Sequence, residues 1–191
     1  MSFTDMNFNN WIALFLSNLS FSLFILAIIV ALVDWPIQRW RLGINCYEVF
    51  FRWIVLLPLG IGSLYGFIMH AFFPVSTAAL IGWGNSPFQF EVAMANLGIG
   101  LIAVIAFRAS YGFRLATVIA GACWLWGDAL GHIYQMIAHQ NFEIGNAGSW
   151  LWMDLVIPLA LIFCLVKMQF SFNYQKQSNP GITPTTFGNL S

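Results

Sequence analysis

Residues 11–33 read WIALFLSNLSFSLFILAIIVALV and include no charged side chain. A helix of about 20 apolar residues is long enough to cross the hydrocarbon core of a bilayer. No Lys or Arg precedes the stretch, and it ends at Asp34-Trp35-Pro36 rather than at a small-residue cleavage site. It therefore predicts a retained transmembrane helix and not a secretory signal peptide.

The composition of the whole chain supports the same class of protein. Of the 191 residues, 60% are hydrophobic and 7% are charged, whereas soluble domains carry roughly 25% charged residues. So few charges cannot cover the surface of a water-soluble globule, which excludes a soluble enzyme. Seven Lys and Arg balance seven Asp and Glu, so the chain cannot form a basic patch for nucleic acid. An integral membrane protein remains.

Five stretches satisfy the length and polarity requirements of a transmembrane helix. They run from Trp11 to Val33, Tyr47 to His70, Pro87 to Phe107, Arg114 to His139 and Ser149 to Lys167. The sequence thus predicts an all-α fold, a bundle of five transmembrane helices that forms one domain over residues 1–170. The segment 171–191 is rich in Asn, Gln, Ser, Pro and Gly, so it is expected to be a flexible cytoplasmic tail.

The basic residues set the expected orientation of the bundle, because short cytoplasmic loops collect Lys and Arg. All seven fall on one side of the five predicted spans: Arg39, Arg41, Arg52, Arg108, Arg114, Lys167 and Lys176. This pattern places the N-terminus outside and the C-terminus in the cytoplasm. The loops 71–86 and 140–148 contain no basic residue, so both are expected on the outer side.

Local patterns predict how two helices begin and which charges pair. Asn45 with Glu48, and Ser86 with Gln89, have the spacing of a capping box. Glu48 also precedes Arg52 by four residues, which predicts an ion pair on one helix face. Tryptophans at the outer helix ends are expected in the interfacial aromatic belt: Trp83, Trp150 and Trp152.

Four polar residues inside the predicted spans require a partner or a function. They are Glu91 on the third span, Asp128 and His132 on the fourth, and Asp154 on the fifth. Ionisable groups are costly to bury in a membrane, so they mark functional sites by default. Asp128 and His132 are four residues apart and share a helix face. Since all four lie in the outer part of their helices, they are expected to meet in one pocket that opens to the extracytoplasmic side.

The expected occupant of this pocket is a cation, because three carboxylates without a basic neighbour cannot all stay ionised in a low dielectric. A divalent metal suits the donor set, with zinc, iron or manganese held by four ligands: Glu91, Asp128, His132 and Asp154. Copper is a further candidate, because methionines and histidines share the outer half of the chain. Two other interpretations stay open, namely a proton-binding site and polar contacts that only hold helices together.

Several of these residues lie in recognisable motifs. The runs SPFQFE (86–91) and GDALGH (127–132), followed by GNAG (145–148), resemble motifs of an uncharacterised family of small bacterial integral membrane proteins. The resemblance covers roughly residues 82–165. It implies a multi-pass protein of the bacterial cytoplasmic (inner) membrane and no particular reaction. If the resemblance holds, three of the candidate residues are motif positions: Glu91, Asp128 and His132.

The leading hypothesis for function is a membrane-embedded metalloenzyme that acts on a small apolar or lipid substrate. In this hypothesis the metal acts as a Lewis acid or activates a bound water, and Glu91 or Asp154 is the catalytic general base. The alternatives are a proton or cation pathway and an accessory subunit of a larger membrane complex. The expected partners are the lipid bilayer and either a second copy of the chain or other subunits, with no nucleic acid.

Overall fold

The chain folds into a bundle of helices. A computed structural model describes Phe15 and residues 18–178, with side chains up to residue 171, and residues 18–178 form seven helices and no strand. Five helices are long: α1 (Leu19–Leu42), α2 (Cys46–Phe72), α4 (Phe88–Ala106), α5 (Tyr111–His139) and α7 (Ser149–Ser178). Two are short: α3 (Pro74–Ile81) and α6 (Ile144–Ala147). The predicted all-α fold is confirmed.

Four helical segments are long and apolar enough to cross a membrane, which makes this an integral membrane protein. They are Leu19–Leu42, Cys46–Phe72, Phe88–Ala106 and Ile144–Ser171, the last of which joins α6 to most of α7. Helix α5 is not among them, although its 29 residues make it about 44 Å long. Its polar residues, Asp128 and His132 included, lower the mean hydropathy of this helix.

The first helix ends later than the sequence predicts. It continues through Pro36 to Leu42, so the predicted end at Val33 is wrong. The helix stops where Gly43 adopts a left-handed conformation with φ 66° and donates its N–H to the Arg39 carbonyl, a conformation that glycine adopts without strain. Residues 11–14 and 16–17 of the predicted span lie outside the described residues.

Two segments predicted to be irregular contain helix. The predicted loop 71–86 includes α3, which begins at Pro74, where a proline costs no hydrogen bond. Helix α7 continues past its predicted end at Lys167 to Ser178, so residues 171–178 of the expected tail extend this helix. Residues 179–191 of that tail lie outside the described residues.

The middle of α2 is a π-helix, over Val55–Ile61. Pro58 lies inside this turn and has no N–H to donate, which disfavours a regular α-helical ladder at this point. Single π-turns of this kind occur often at functional sites. Pro58 lines the cavity described below, so the irregular turn shapes one wall of that cavity.

A buried ion-pair cluster lies at one end of the bundle, here called the basic end. Arg114 donates from Nη1 to both carboxylate oxygens of Glu48, at 2.9 and 2.8 Å, and Arg52 contacts the same carboxylate at 2.7 Å. Arg114 is only 2% exposed and also donates to the carbonyls of Ala106 and Phe107. The predicted pair of Glu48 and Arg52 is confirmed, and Arg114 further ties α5 to the last carbonyls of α4.

Neither predicted capping box is complete. The Asn45 side chain does cap α2, since its Oδ1 accepts the Tyr47 backbone N–H at 3.0 Å, but Glu48 pairs with arginines instead. At the start of α4 the cap residue is Pro87, with no side-chain capping bond, and Gln89 contacts His70 on α2. Both long side chains thus link separate helices rather than closing their own helix end.

The opposite end of the bundle, here called the acidic end, carries the loops 82–87 and 140–148. An apolar core separates it from the basic end. Buried members of that core come from three long helices, α2, α5 and α7: Phe51, Val55, Leu59, Val118 and Leu161. Helices α2 and α4 approach closely beside this core, because a Cβ at Gly100 would lie 2.8 Å from the Leu64 side chain. A side chain larger than hydrogen would push these two helices apart.

Candidate functional site

A cavity of about 350 Å³ lies at the acidic end. The long helices α2, α4, α5 and α7 each present residues at helical spacing, such as Leu125, Asp128 and His132 on α5. The side chains with hydrogen-bonding or titratable groups used below are His70, Gln89, Asn96, Asp128, His132 and Asp154. The volume falls within the range of about 300–1,000 Å³ that is typical of small-molecule sites.

Three of the four predicted site residues line this one cavity. Asp128 and His132 reach it from α5 and Asp154 reaches it from α7. The His132 Nε2 and Asp154 Oδ2 atoms are 3.9 Å apart.

The structure does not bring Glu91 together with the other three predicted site residues. The Glu91 side chain is exposed and does not line the cavity. Helix α4 instead presents Gln89, Val92 and Asn96, which share one face at the i, i+3, i+7 spacing. Glu91 precedes Val92 by one residue, so it projects about 100° away around a helix of 3.6 residues per turn.

The predicted metal centre with four ligands is not assembled. Within residues 18–171, no group of three or more His, Cys, Asp and Glu side chains is arranged to hold one metal ion. His132 and Asp154 form the closest such pair, while Asp128 lies one helical turn deeper than His132 and Glu91 is exposed.

Asn146 holds His132 in place. This asparagine is fully buried, and its Nδ2 donates to the His132 carbonyl at 3.2 Å and to the Asn141 carbonyl at 2.9 Å. The amide nitrogen is thereby identified, so Oδ1 is the atom that faces the His132 ring. Oδ1 accepts from the Trp83 indole N–H at 2.8 Å and lies 2.8 Å from His132 Nδ1.

The tautomer of His132 follows from this contact. Because Asn146 Oδ1 can only accept, Nδ1 of His132 must carry a proton and donate it. In the neutral imidazole the lone pair therefore sits on Nε2, the atom that faces Asp154. Nε2 is available to bind a metal, to accept an N–H from a ligand, or to take a proton and pair with Asp154.

Two carboxyl groups, those of Asp128 and Asp154, line the cavity. Among the described residues that line it, none is Lys or Arg, and Arg114 lies about 21 Å from Asp128 along α5. Asp154 is 8% exposed. Neither Asp128 nor Asp154 makes a hydrogen bond within the described part of the chain, since the 3.9 Å from Asp154 to His132 is too long for one. A buried carboxylate without a partner is unfavourable unless a cation or a proton joins it.

Aromatic side chains form much of the remaining wall. The rings of Tyr65 and Trp150 are stacked, with centroids 6.3 Å apart and planes 9° from parallel. Trp83 lies 5.4 Å from the His132 ring, and Trp124 contributes a further face. Trp83 and Trp150 thus line the cavity in addition to lying near a helix end, whereas Trp152 is 59% exposed, as expected of a residue in the aromatic belt.

Sequence reasoning missed Asn146 and the polar stripe of α4. The signal for the stripe is present, because Gln89, Val92 and Asn96 have helical spacing. Asn146 lies in the short helix α6, within the Gly-rich run Gly145-Asn146-Ala147-Gly148, and no spacing rule links it to His132. Its role depends on the contact between the 140–148 loop and α5, which only the three-dimensional structure provides.

Comparison with known proteins identifies a family but no function. The chain matches the model of a family of unknown function, DUF6790, over residues 17–171. Searches of the curated proteins and of the solved structures find no significant match.

Proposed function

For this chain, which belongs to the DUF6790 family, we propose a cation-binding function for the cavity at the acidic end. Asp154, Asp128 and His132 are its binding residues. The observation that carries this proposal is a carboxylate, Asp154, that is 8% exposed and has no hydrogen-bond partner among the described residues. A second carboxylate beside it increases the need for positive charge.

The proposed setting is the bacterial cytoplasmic membrane, with five spans. Helix α5 is the fifth span, because its partners α4 and α7 are membrane-compatible and it is long enough to cross. Ser171 bonds to Asn45 near the basic end and Ser149 bonds to Asn18 near the acidic end, which is consistent with alternating helix directions. The basic end then faces the cytoplasm and the cavity opens outside.

A binding site is better supported than a continuous ion pathway. Below the cavity, the helices contribute buried apolar residues before the ion pairs of the basic end are reached: Val55, Leu59, Val118 and Leu161. A proton or cation would have to cross this apolar layer, which is costly in a low dielectric.

A divalent metal is the second candidate occupant, favoured by the His132 tautomer. The free lone pair on Nε2 and the Asp154 carboxylate, 3.9 Å apart, would supply two ligands, and the Asn146 contact is the kind of outer-shell bond that orients a metal-binding histidine. Zinc, manganese and iron accept such ligands. As a metalloenzyme, the protein would use the metal to activate a water beside Asp154.

Thermal unfolding in detergent with a panel of cations tests the proposal. At a hundredfold excess over Kd, a bound cation stabilises the folded protein by about 2.7 kcal/mol, which raises the Tm by about 5–10 °C for a chain of this size. The panel contains Zn²⁺, Mn²⁺, Fe²⁺, tetramethylammonium and benzylammonium. The cation should no longer raise the Tm of Asp154→Asn. It should still raise the Tm of the matched control Glu91→Gln, which removes an exposed carboxylate. Equal responses in both variants would contradict the assignment.

The topology is tested by cysteine labelling on intact cells. In a background without the native cysteines, Arg41→Cys and Glu143→Cys each place a thiol at an exposed position. A membrane-impermeant maleimide should label the Glu143→Cys variant from outside and the Arg41→Cys variant only after lysis. Labelling of both variants from outside would contradict an extracytoplasmic cavity.

A further inference from the structure

The walls of the cavity indicate which class of cation it takes. We infer that the ligand is a small organic ammonium ion that carries N–H donors on its charged nitrogen, an inference that rests on the proposed cation-binding function. The ammonium group would lie between Asp154 and His132, and its organic part would pack against Tyr65 and Trp150.

The acceptor geometry matches an ammonium nitrogen. His132 Nε2 and Asp154 Oδ2 are 3.9 Å apart, so one nitrogen between them can lie about 2.8–2.9 Å from both, which is hydrogen-bonding distance. Both atoms accept, since the proton of neutral His132 is held on Nδ1 by Asn146. A primary or secondary ammonium supplies the two N–H donors that these acceptors require.

The aromatic wall matches the rest of such a ligand. Cations bind the faces of Trp and Tyr within about 6 Å of the ring centroid, and aromatic cages are a common means of recognising organic ammonium groups. Tyr65, Trp83, Trp124 and Trp150 all line the cavity. Trp124 also has a buried indole N–H without a partner among the described residues, so this wall has unused hydrogen-bonding capacity.

The number of ligands and the volume of the cavity fit an organic cation better than a bare metal ion. Zinc sites in proteins use three or four protein ligands, and the described residues present no group of three or more His, Cys, Asp and Glu side chains that could hold a metal ion. The cavity of about 350 Å³ is instead large enough for a small molecule. Such a molecule would contact two carboxyl groups, one histidine that accepts a hydrogen bond, and an aromatic wall.

Isothermal titration calorimetry with benzylammonium and its neutral isostere benzyl alcohol tests the inference. Benzylammonium should bind the wild-type protein and benzyl alcohol should not, because only the former carries charge. Trp150→Leu should weaken benzylammonium binding by about twofold to tenfold, the range of a contact between two aromatic rings. Trp152→Leu, two residues away and 59% exposed, is the matched control and should bind as the wild type does.

The outcomes separate this inference from the proposed function. Binding of Mn²⁺ or Zn²⁺ that depends on Asp154, without binding of benzylammonium, would overturn the ammonium ligand and leave the cation site intact. Equal binding of benzyl alcohol would also overturn it, and no cation binding at all would overturn both. If Trp150→Leu fails to fold, Tyr65→Leu removes the other stacked ring and gives the same test.

Discussion

Replacing Arg114 with Met is expected to lower the free energy of unfolding by about 3–5 kcal/mol, the cost of breaking a buried ion pair by removing one partner. Arg114 is 2% exposed and makes two hydrogen bonds to Glu48, at 2.9 and 2.8 Å. Its loss would leave that carboxylate with Arg52 alone. It would also leave the Ala106 and Phe107 carbonyls without these donors, at the end of α4.

The measurement is the free energy of unfolding in mixed micelles, with Arg108→Met as the control. Arg108 lies six residues from Arg114 but is exposed, so its replacement should change stability by no more than about 0.5 kcal/mol. The double variant Arg114→Met with Glu48→Gln should be no more stable than Arg114→Met, because Glu48 still pairs with Arg52 in the single variant and the second change removes that pair. Similar stability losses at Arg108 and Arg114 would show that the buried cluster does not stabilise the bundle.

Replacing Asn146 with Ala is expected to damage both stability and binding. The change leaves the Trp83 and His132 N–H groups and two backbone carbonyls without their partner. A buried unsatisfied polar group costs about 1–3 kcal/mol, so we expect a total loss of about 3 kcal/mol or more. Cation affinity should also fall by about tenfold to hundredfold, as when an outer-shell partner of a binding histidine is removed.

Unfolding and cation titration of the same variant test this prediction, with Asn85→Ala as the control. Asn85 is exposed in the 82–87 loop, so its loss should leave both quantities unchanged. A variant Asn146→Ala that binds the cation as tightly as the wild type would mean that His132 needs no orienting partner. Nε2 of His132 would then not be a cation-binding atom.

The fold was largely predictable because bilayer crossing imposes a strong constraint on sequence. The helices Cys46–Phe72 and Phe88–Ala106 fall close to the predicted spans Tyr47 to His70 and Pro87 to Phe107. The end of α1 was not predictable in the same way, because Pro36 reads as a helix stop. Pro36 removes one N–H from the helical ladder, yet the helix continues for six more residues and stops at Gly43.

The candidate site was predictable in part, and the reason is periodicity. Asp128 and His132 share a helix face through their own spacing, so their joint placement follows from α5 alone. The placement of Glu91 depends on how α4 is rotated about its axis, and that rotation is set by packing against α2. The apolar residues of a membrane helix do not show which face packs against protein, because lipid and protein neighbours are both apolar. The sequence therefore leaves this rotation undetermined.

The contacts of Glu48 and Gln89 illustrate a second limit. Both residues have capping-box spacing, yet each bonds to a residue on another helix. Local rules describe the partners available within one turn of chain. They do not include a buried arginine 66 residues later or an imidazole on a neighbouring helix, which offer stronger contacts.

The most direct test of the central claim is equilibrium dialysis of the purified protein against Zn²⁺, Mn²⁺ and radiolabelled benzylammonium. The cavity account predicts one cation bound per chain in the wild type and in Glu91→Gln, and a loss of that binding in Asp154→Asn. Dialysis against the same solutions with Asp128→Asn should give weakened binding, because the second carboxylate is removed. A wild-type protein that binds none of these cations, or an Asp154→Asn variant that binds as the wild type does, would contradict the account.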